Sequence, residues 1–512
     1  MPYPGIHAET RPHHPAVIDT GTGASIDYKT LDERSNQIAQ FLHDRGFRPG
    51  DRIAVLMENN IGYFEIFWAA LRSGLIVTPI NRYFTPEEAA YVIDDCGAKA
   101  LFTSAYMAEV ATALARLIPN CQIRLVIGGD CEGYQALDDI TAPFPITPLS
   151  EEPRGQVMLY SSGTTGRPKG VLRKQEAATI EKGLSNIGRL GEYGMDRDTV
   201  YLSPAPIYHA APLSYSTGVT SLGGTVVMMP RFDAERALRC IQEYKVTHSQ
   251  WVPTMFIRML KLPEDSRRAY DLSSHRVAIH AAAPCPVEVK RQVIDWWGPI
   301  LHEYYAGSEA NGATRIDSHE WLERPGSVGR ASMGTLHICD DDGNELPPGE
   351  AGLIYFERPE MPFVYHNDPQ KTRDAQHPQH PTWSTLGDVG YVDADGYLYL
   401  TDRKSFMIIS GGVNIYPQAI EDALVLHPDV TDAAVIGVPN EEFGEEVKAV
   451  VQLEPGVPES PELAMALIEF TRERVAAYMV PRSLDFTAAL PRLPTGKLYK
   501  HKLRERYWSQ DG

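Results

Sequence analysis

The 512-residue sequence predicts an α/β protein: a large N-terminal domain of α/β layers with a β-rich subdomain, then a small α+β C-terminal domain. Three observations carry that expectation. Helical and strand patterns alternate from the N-terminus to about residue 320. Short strands with Gly, Pro and Asp turns take over from about residue 325, as in CDDDGNELPPGEAGLIYFERPE. A block with helix–strand–strand–helix order then follows YLYLTDRKS at 397–405. That last block spans about 100 residues, an ordinary domain size, so the boundary is expected at 403/404, with domains 1–403 and 404–512.

Local chemistry justifies the elements in turn. SIDYKTLDERSNQIAQFLHDRG reads as a helix ending at Gly46, followed by a buried strand from about Ile53 to Met57. TPEEAAYVIDDCG carries a helix start, with Thr85 as N-cap, Pro86 at the first position, Glu88 closing a capping box and Gly97 at the C-cap. AKALFTS, GTVVMMP and RVAIHAAAP read as strands, with a helix over 234–244. DDDGNE at 340–345 has consecutive rather than alternate acids, so it reads as a turn, not a calcium loop. QHPQHP at 376–381 reads as a solvent loop. In the last block, 419–430, 431–439, 445–456 and 463–479 give helix, strand, strand and helix.

Composition narrows the function. The content of 43% hydrophobic and 22% charged residues is that of a soluble globular protein. A formal charge of −19 opposes a nucleic-acid partner, which needs basic patches, but leaves room for small anionic ligands held by local cations and backbone amides. Six cysteines without CxxC pairing read as buried thiols. No apolar run spans a bilayer and the N-terminus lacks a secretory pattern, so a cytoplasmic location is expected.

MLYSSGTTGRPKG at 158–170 is the most informative stretch. A strand leads into Ser161, Ser162, Gly163, Thr164, Thr165 and Gly166, with Lys169 beyond. Glycines let backbone amides face an anion, hydroxyls add donors, and the cations offset phosphate charge. The P-loop pattern G-x-x-x-x-G-K-[ST] fails here: Pro168 stands five residues after Gly163, Gly170 follows Lys169, and Pro168 opposes a helix leaving the loop.

YSSGTTGRPKGV resembles the signature of the adenylate-forming superfamily, which comprises acyl-CoA synthetases, peptide-synthetase adenylation domains and firefly-type luciferases. HEYYAGSEANG (302–312), the segment from STLGDVG to NIYPQAIEDAL, and LPRLPTGKLYKHKLRERY resemble three further family segments in the same order over nearly the whole chain. The resemblance implies an AMP-forming acid:CoA ligase with a mobile C-terminal lid. ATP, Mg²⁺ and CoA would be the cofactors and co-substrates, and a small-molecule carboxylic acid the partner, with a homodimer left open.

It also implies site residues. The loop residues and Lys169 would hold the leaving phosphates, Glu309 the Mg²⁺, and Ser308 and Lys497 would act at the α-phosphate. Tyr305 and the Ala282–Ala283–Pro284 segment would line adenine, and Asp388 and Arg403 the ribose. Gly411 and Gly412 would line the CoA thiol's approach, and His209, after Tyr208, would gate the acid. Ala306 and Ser308 depart from the family's Y-G-x-T-E, and Ser405 departs at the hinge.

Small residues at Ala210, Ala211, Ala306 and Gly307 imply a roomy apolar pocket, so a medium- or long-chain fatty acid is expected first and an aryl or steroid-type acid second. A carrier-protein ligase or a luciferase-like enzyme is the nearest alternative.

Overall fold

The computed structural model describes residues 3–161, 168–403, 406–411, 413–440, 442–492 and 498–508. Ser162, Gly163, Thr164, Thr165, Gly166, Gly412 and Lys497 therefore lie outside the described residues, as does Ser405, and for Ser161 and Arg403 only the backbone is described. The architecture is mixed α/β, with two large sheets and a smaller one.

Among the described residues, thirteen strands form the first sheet, eight the second and five the third. In the first sheet Val200–Ser203, His248–Trp251, Val277–His280 and Leu301–Ala306 run parallel as neighbours. In the second, Arg52–Leu56, Ile76–Pro79 and Gln156–Ser161 do the same. Parallel strands must be covered on both faces, which the long apolar runs of this chain allow. Between 327 and 403 the strands extend the first sheet antiparallel rather than forming a sheet of their own, because Ser327–Met333 pairs with Ala313–Asp317 on one side and Leu398–Arg403 on the other. Phe363–Tyr365, alone of the described strands there, joins the second sheet beside Lys169–Arg173. The third sheet holds Ile408–Ser410, Val413–Ile415, Val430–Asn440, Gly444–Leu453 and Ser483–Phe486.

Helix Gly62–Arg72 is apolar on nearly every side and buried throughout its centre, as a helix between layers must be. The Trp68 indole nitrogen donates to Thr220 Oγ1 at 3.1 Å, tying this helix to Ala210–Leu222. At its end, buried Arg72 pairs with Asp32 at 2.7 Å and Glu152 at 2.9 Å. The expected capping box is formed: Thr85 accepts from the Glu88 amide, Glu88 caps back, and Gly97 has φ +66°.

DDDGNE is a turn organised by Asp340, whose carboxylate accepts from the amides of Asp342 and Asn344. QHPQHP is not the solvent loop expected. His377 is 3% exposed, its Nε2 meets the Gly343 carbonyl at 2.8 Å, and its ring packs on Tyr355 and Trp383. The six cysteines are free thiols, five of them buried. No helix among the described residues is long and apolar enough to cross a membrane.

Buried histidines give the fold a definite pH response. Burial pushes His275 down to about 3 from the usual 6.5, with His248 nearby acting in the same direction. Its ring touches Ser249 Oγ at 2.6 Å and stands edge-on to Trp297. The unfolded chain binds this proton at 6.5 and the folded chain does not, so the stability involved is complete above pH 6.5 and is lost as pH falls toward 3. Each such group contributes a slope of up to about 1.4 kcal/mol per pH unit. Burial raises Glu65 and Glu152, which act oppositely, so the test is a difference. His275→Gln should flatten the urea-unfolding slope between pH 6.5 and 4 relative to the parent chain. Parallel slopes would show that His275 takes up its proton in the fold.

Candidate active site

The parallel strands of both large sheets end at one cavity of about 1440 Å³, the usual position for a ligand in open α/β sheets. From the first sheet, the segments after Val200–Ser203, His248–Trp251, Val277–His280 and Leu301–Ala306 bring Tyr208 and His209, Val252, Ala282 to Pro284, and Gly307 to Glu309 to its wall. From the second come Ile80, Tyr160, Lys169 and Arg173. The third sheet's domain adds Asp432, Arg492, Leu498 and Lys500.

The glycine-rich segment joins two antiparallel strands. Gln156–Ser161 pairs with Lys169–Arg173, with Ser161 opposite Lys169. A P-loop protein would have a helix where this chain has Lys169–Arg173, so the earlier exclusion of that class is structural as well. The strand carries a cation at each end on one face. Lys169 Nζ lies 3.3 Å from Asp368. Arg173 Nε donates to the Ser308 carbonyl at 2.8 Å, across 135 residues. Burial lowers the Arg173 pKa, Arg189 adds to that, and Glu309 opposes it.

Ser308 and Glu309 follow strand Leu301–Ala306. Glu309 is 7% exposed and accepts from the Tyr365 hydroxyl at 2.9 Å through Oε1. No cluster of three metal-ligating side chains occurs among the described residues. Gly307 does not enlarge the pocket as expected: a Cβ there would meet Leu386 Cδ1 at 2.2 Å and Glu309 Oε2 at 2.9 Å. Its small size is used up by packing.

Tyr305 and Asp388 are brought together. The Tyr305 hydroxyl donates to Asp388 Oδ2 at 2.7 Å, and the Asp388 backbone pairs in register with Arg403. Also lining the cavity, Ala282 has φ +78°, a left-handed conformation that costs a residue with a Cβ about 1 kcal/mol or more. Ala282→Gly should therefore stabilise the fold by about 1 kcal/mol in urea denaturation. A loss of stability would show that the methyl group packs usefully.

His209 precedes helix Ala210–Leu222, and its ring centroid stands 4.3 Å from that of Tyr208. Burial pushes it down to about 3, so it is neutral at physiological pH. Hairpin residues 408–415, with Gly411 at φ +57°, are not among the described residues lining the cavity. The described flanks of 493–497 are: Arg492 and Leu498 pair as an antiparallel bridge, and the Tyr499 amide donates to the Pro491 carbonyl at 2.7 Å.

Sequence reasoning missed Arg173 and Tyr365. For Arg173 a signal existed, its period-two spacing after Lys169 on one strand face. For Tyr365 there was none, since its partner lies 56 residues away.

A family model for AMP-binding enzymes matches residues 6–366, and one for the AMP-binding enzyme C-terminal domain matches 419–497. The chain is an AMP-binding enzyme. Relatives of this enzyme align along most of their length. The long-chain-fatty-acid–CoA ligase FadD13 of Mycobacterium tuberculosis is 32% identical over 503 residues, covering 98% of this chain and 97% of that protein. The feruloyl-CoA synthase of an Amycolatopsis species is 33% identical over 507 residues, covering 99% and 98%. The solved structure of ATP-bound MatB from Rhodopseudomonas palustris matches with a TM-score of 0.80 at 28% identity, covering 99% of each chain. AMP-binding enzymes of this kind are adenylate-forming acid–CoA ligases that use ATP and CoA.

Proposed function

We propose that this AMP-binding enzyme couples a bulky carboxylic acid to CoA in two steps. A carboxylate oxygen attacks the α-phosphorus of ATP, the bond to the β-phosphate oxygen breaks, and pyrophosphate leaves with its electron pair. The CoA sulfur then attacks the acyl carbon, and AMP leaves. One observation carries the reading. Segments from three regions of the sequence (the glycine-rich hairpin, the 305–309 segment and the flanks of 493–497) meet at a single cavity.

In this reading the loop at 161–166 and Lys169 hold the β- and γ-phosphates. Tyr305 lies against adenine, and Asp388, fixed by the Tyr305 hydroxyl, accepts from the ribose. Arg403, across the strand pair from Asp388, reaches ribose or phosphate. Ser308 donates to the α-phosphate while its carbonyl is held by Arg173. The site suits Mg²⁺, because the buried carboxylate of Glu309 supplies a protein ligand of the kind a phosphate-bound Mg²⁺ needs. When bound, that ion neutralises the phosphate oxygens. Excluding water and holding both anions together is the remaining work of the cavity.

The domains divide at 403/404. Leu398–Arg403 belongs to the first sheet and Ile408–Ser410 to the third, which supports a lid turning about this junction. The lid faces the cavity with Arg492 and Leu498, the described residues on either side of the segment that carries Lys497. The hairpin with Gly411 and Gly412 would face it only after rotation, for the CoA step.

For the acid, a ring-bearing body is favoured over the fatty chain expected first. The cavity wall carries the rings of Tyr208, Tyr215, Phe232 and Tyr304, and such faces pack best against another ring.

A panel of alkyl and aryl acids assayed for AMP tests this function. Acid- and CoA-dependent AMP is expected, with the reaction halting at the adenylate when CoA is withheld. Release of ADP would mean a kinase. No acid-dependent pyrophosphate release would mean a nucleotide-binding protein without this activity.

A further inference from the structure

Lys261, on the larger domain's side of 403/404, bonds twice to the lid. Its Nζ donates to the Val430 carbonyl at 2.5 Å and pairs with the Glu454 carboxylate. Both partners sit at one end of the same strand pair. Val430 opens Val430–Asn440 and lies opposite Leu453, the last residue of Gly444–Leu453. Glu454 follows directly, its amide donating to the Asp429 carbonyl at 2.9 Å. The two acceptors are therefore held side by side by the lid's own sheet.

Lys261 is equally well fixed. It caps the C-terminus of helix Pro253–Leu260, and its amide donates to the Ile257 carbonyl at 3.1 Å. Phe256 and Met259 are fully buried and anchor that helix in a core shared with Leu202 and Trp251 of the first sheet. The same helix begins at the cavity, where Pro253, Met255, Ile257 and Arg258 form part of the wall. One short, rigid element thus joins the cavity wall to the lid.

The Lys261 and Glu454 side chains are each 30% exposed, so water reaches the pair only in part. A bond from an ammonium group to a carbonyl is stronger than one between neutral groups, but it weakens steeply with distance and angle. A lid that turns about 403/404 carries Val430 and Glu454 away from Lys261. A contact made in only one of two arrangements shifts their populations by its own free energy. We propose that Lys261 latches the lid in the arrangement that brings the flanks of 493–497 to the cavity, and so favours adenylation over transfer to CoA. This rests on the acid:CoA ligase reading and on its turning lid. Each step draws on one arrangement, so the ratio of their rates follows the ratio of the two populations, wherever that balance lies in the parent chain.

The test measures both steps in single turnover with the full chain. The first is pyrophosphate release from ATP with cinnamate or decanoate, whichever gives more AMP. The second is transfer to CoA from the purified adenylate of that acid. Lys261→Met keeps the apolar stem but removes the charge and the donors. It should lower the ratio of adenylation to transfer by about threefold to tenfold. Lys261→Arg retains the charge and should hold the ratio nearer the parent value. Glu454→Gln should give a smaller fall of the same sign, and adding it to Lys261→Met should change the ratio little further. The ratio is internal to each variant, so loss of folded protein does not mimic the effect. An unchanged or raised ratio in Lys261→Met, including equal losses in both steps, would overturn the latch while leaving the ligase function standing. No acid-dependent pyrophosphate release from the parent chain, with either acid or the wider panel, would overturn the function and this inference with it.

Discussion

Lys497→Ala should lower acid-dependent pyrophosphate release by about a hundredfold to a thousandfold, while transfer of a supplied acyl-adenylate to CoA falls much less. Adenylation builds negative charge between the α-phosphate and the incoming carboxylate, and a cation fixed there is worth most in that transition state. In the proposed second step no cation is needed at that point, because the lid would have turned. Lys497 itself lies outside the described residues, yet its neighbours are well placed. Arg492 makes a two-pronged pair with Asp432, one arm at 2.6 Å, and Lys500 Nζ lies 2.8 Å from Glu421. Both flanks of 493–497 are thus anchored within the third sheet's domain. The measurement is pyrophosphate release without CoA, followed by single-turnover transfer from isolated adenylate. Near-normal adenylation, or equal losses in both steps, would remove the role assigned to Lys497.

Glu309→Gln should cost about a hundredfold in kcat and shift the Mg²⁺ dependence of AMP formation to higher concentration. The substitution preserves shape and the contact with Tyr365 but removes the charge. Because Glu309 is buried, its interaction with a cation is stronger than at the surface. Tyr365→Phe leaves the charge and frees one carboxylate oxygen, so its effect should be smaller, about fivefold to tenfold. A Mg²⁺ titration of all three proteins is the check. An unchanged titration in Glu309→Gln would place the metal elsewhere.

How far the sequence could be read depended on the range of the interactions involved. Thr85, Glu88 and Gly97 formed the predicted caps because every partner lies within one helix. Asp340 formed the predicted turn for the same reason. The last block's helix, two strands and helix appear as Gln418–Leu424, Val430–Asn440, Gly444–Leu453 and Pro461–Arg472, since their periodicities are unbroken. The β-rich subdomain was recognisable by its texture, but its fusion to the first sheet was not, because strand pairing leaves no mark in composition. The site divides likewise. Ser308, Glu309, Tyr305 and Asp388 are candidates through a resemblance alone, and they line the cavity. The structure adds Arg173, which holds the Ser308 carbonyl, and Tyr365, which holds Glu309, both distant in sequence from their partners. Gly307 and His377 were misjudged for one reason: smallness and polarity say nothing of which neighbour arrives. Leu386 and Trp383 arrived.

The hairpin that carries the glycine-rich segment sets opposite rules for change on its two sides. Lengthening the connection between Ser161 and Lys169 leaves the pairing of the two strands intact, so drift in loop length is compatible with the sheet. A single residue inserted between Lys169 and Arg173 is different. Side chains alternate faces along a strand, so everything beyond the insertion turns over. Arg173 would then leave the Ser308 carbonyl, and Val171, buried with Phe363 and Tyr365, would lose its side of the sheet. Within a dozen residues the chain therefore has a stretch that can vary in length and one in which only identity can vary. An evolving or engineered descendant can change length in the first while the second keeps Arg173 in register with the Ser308 carbonyl.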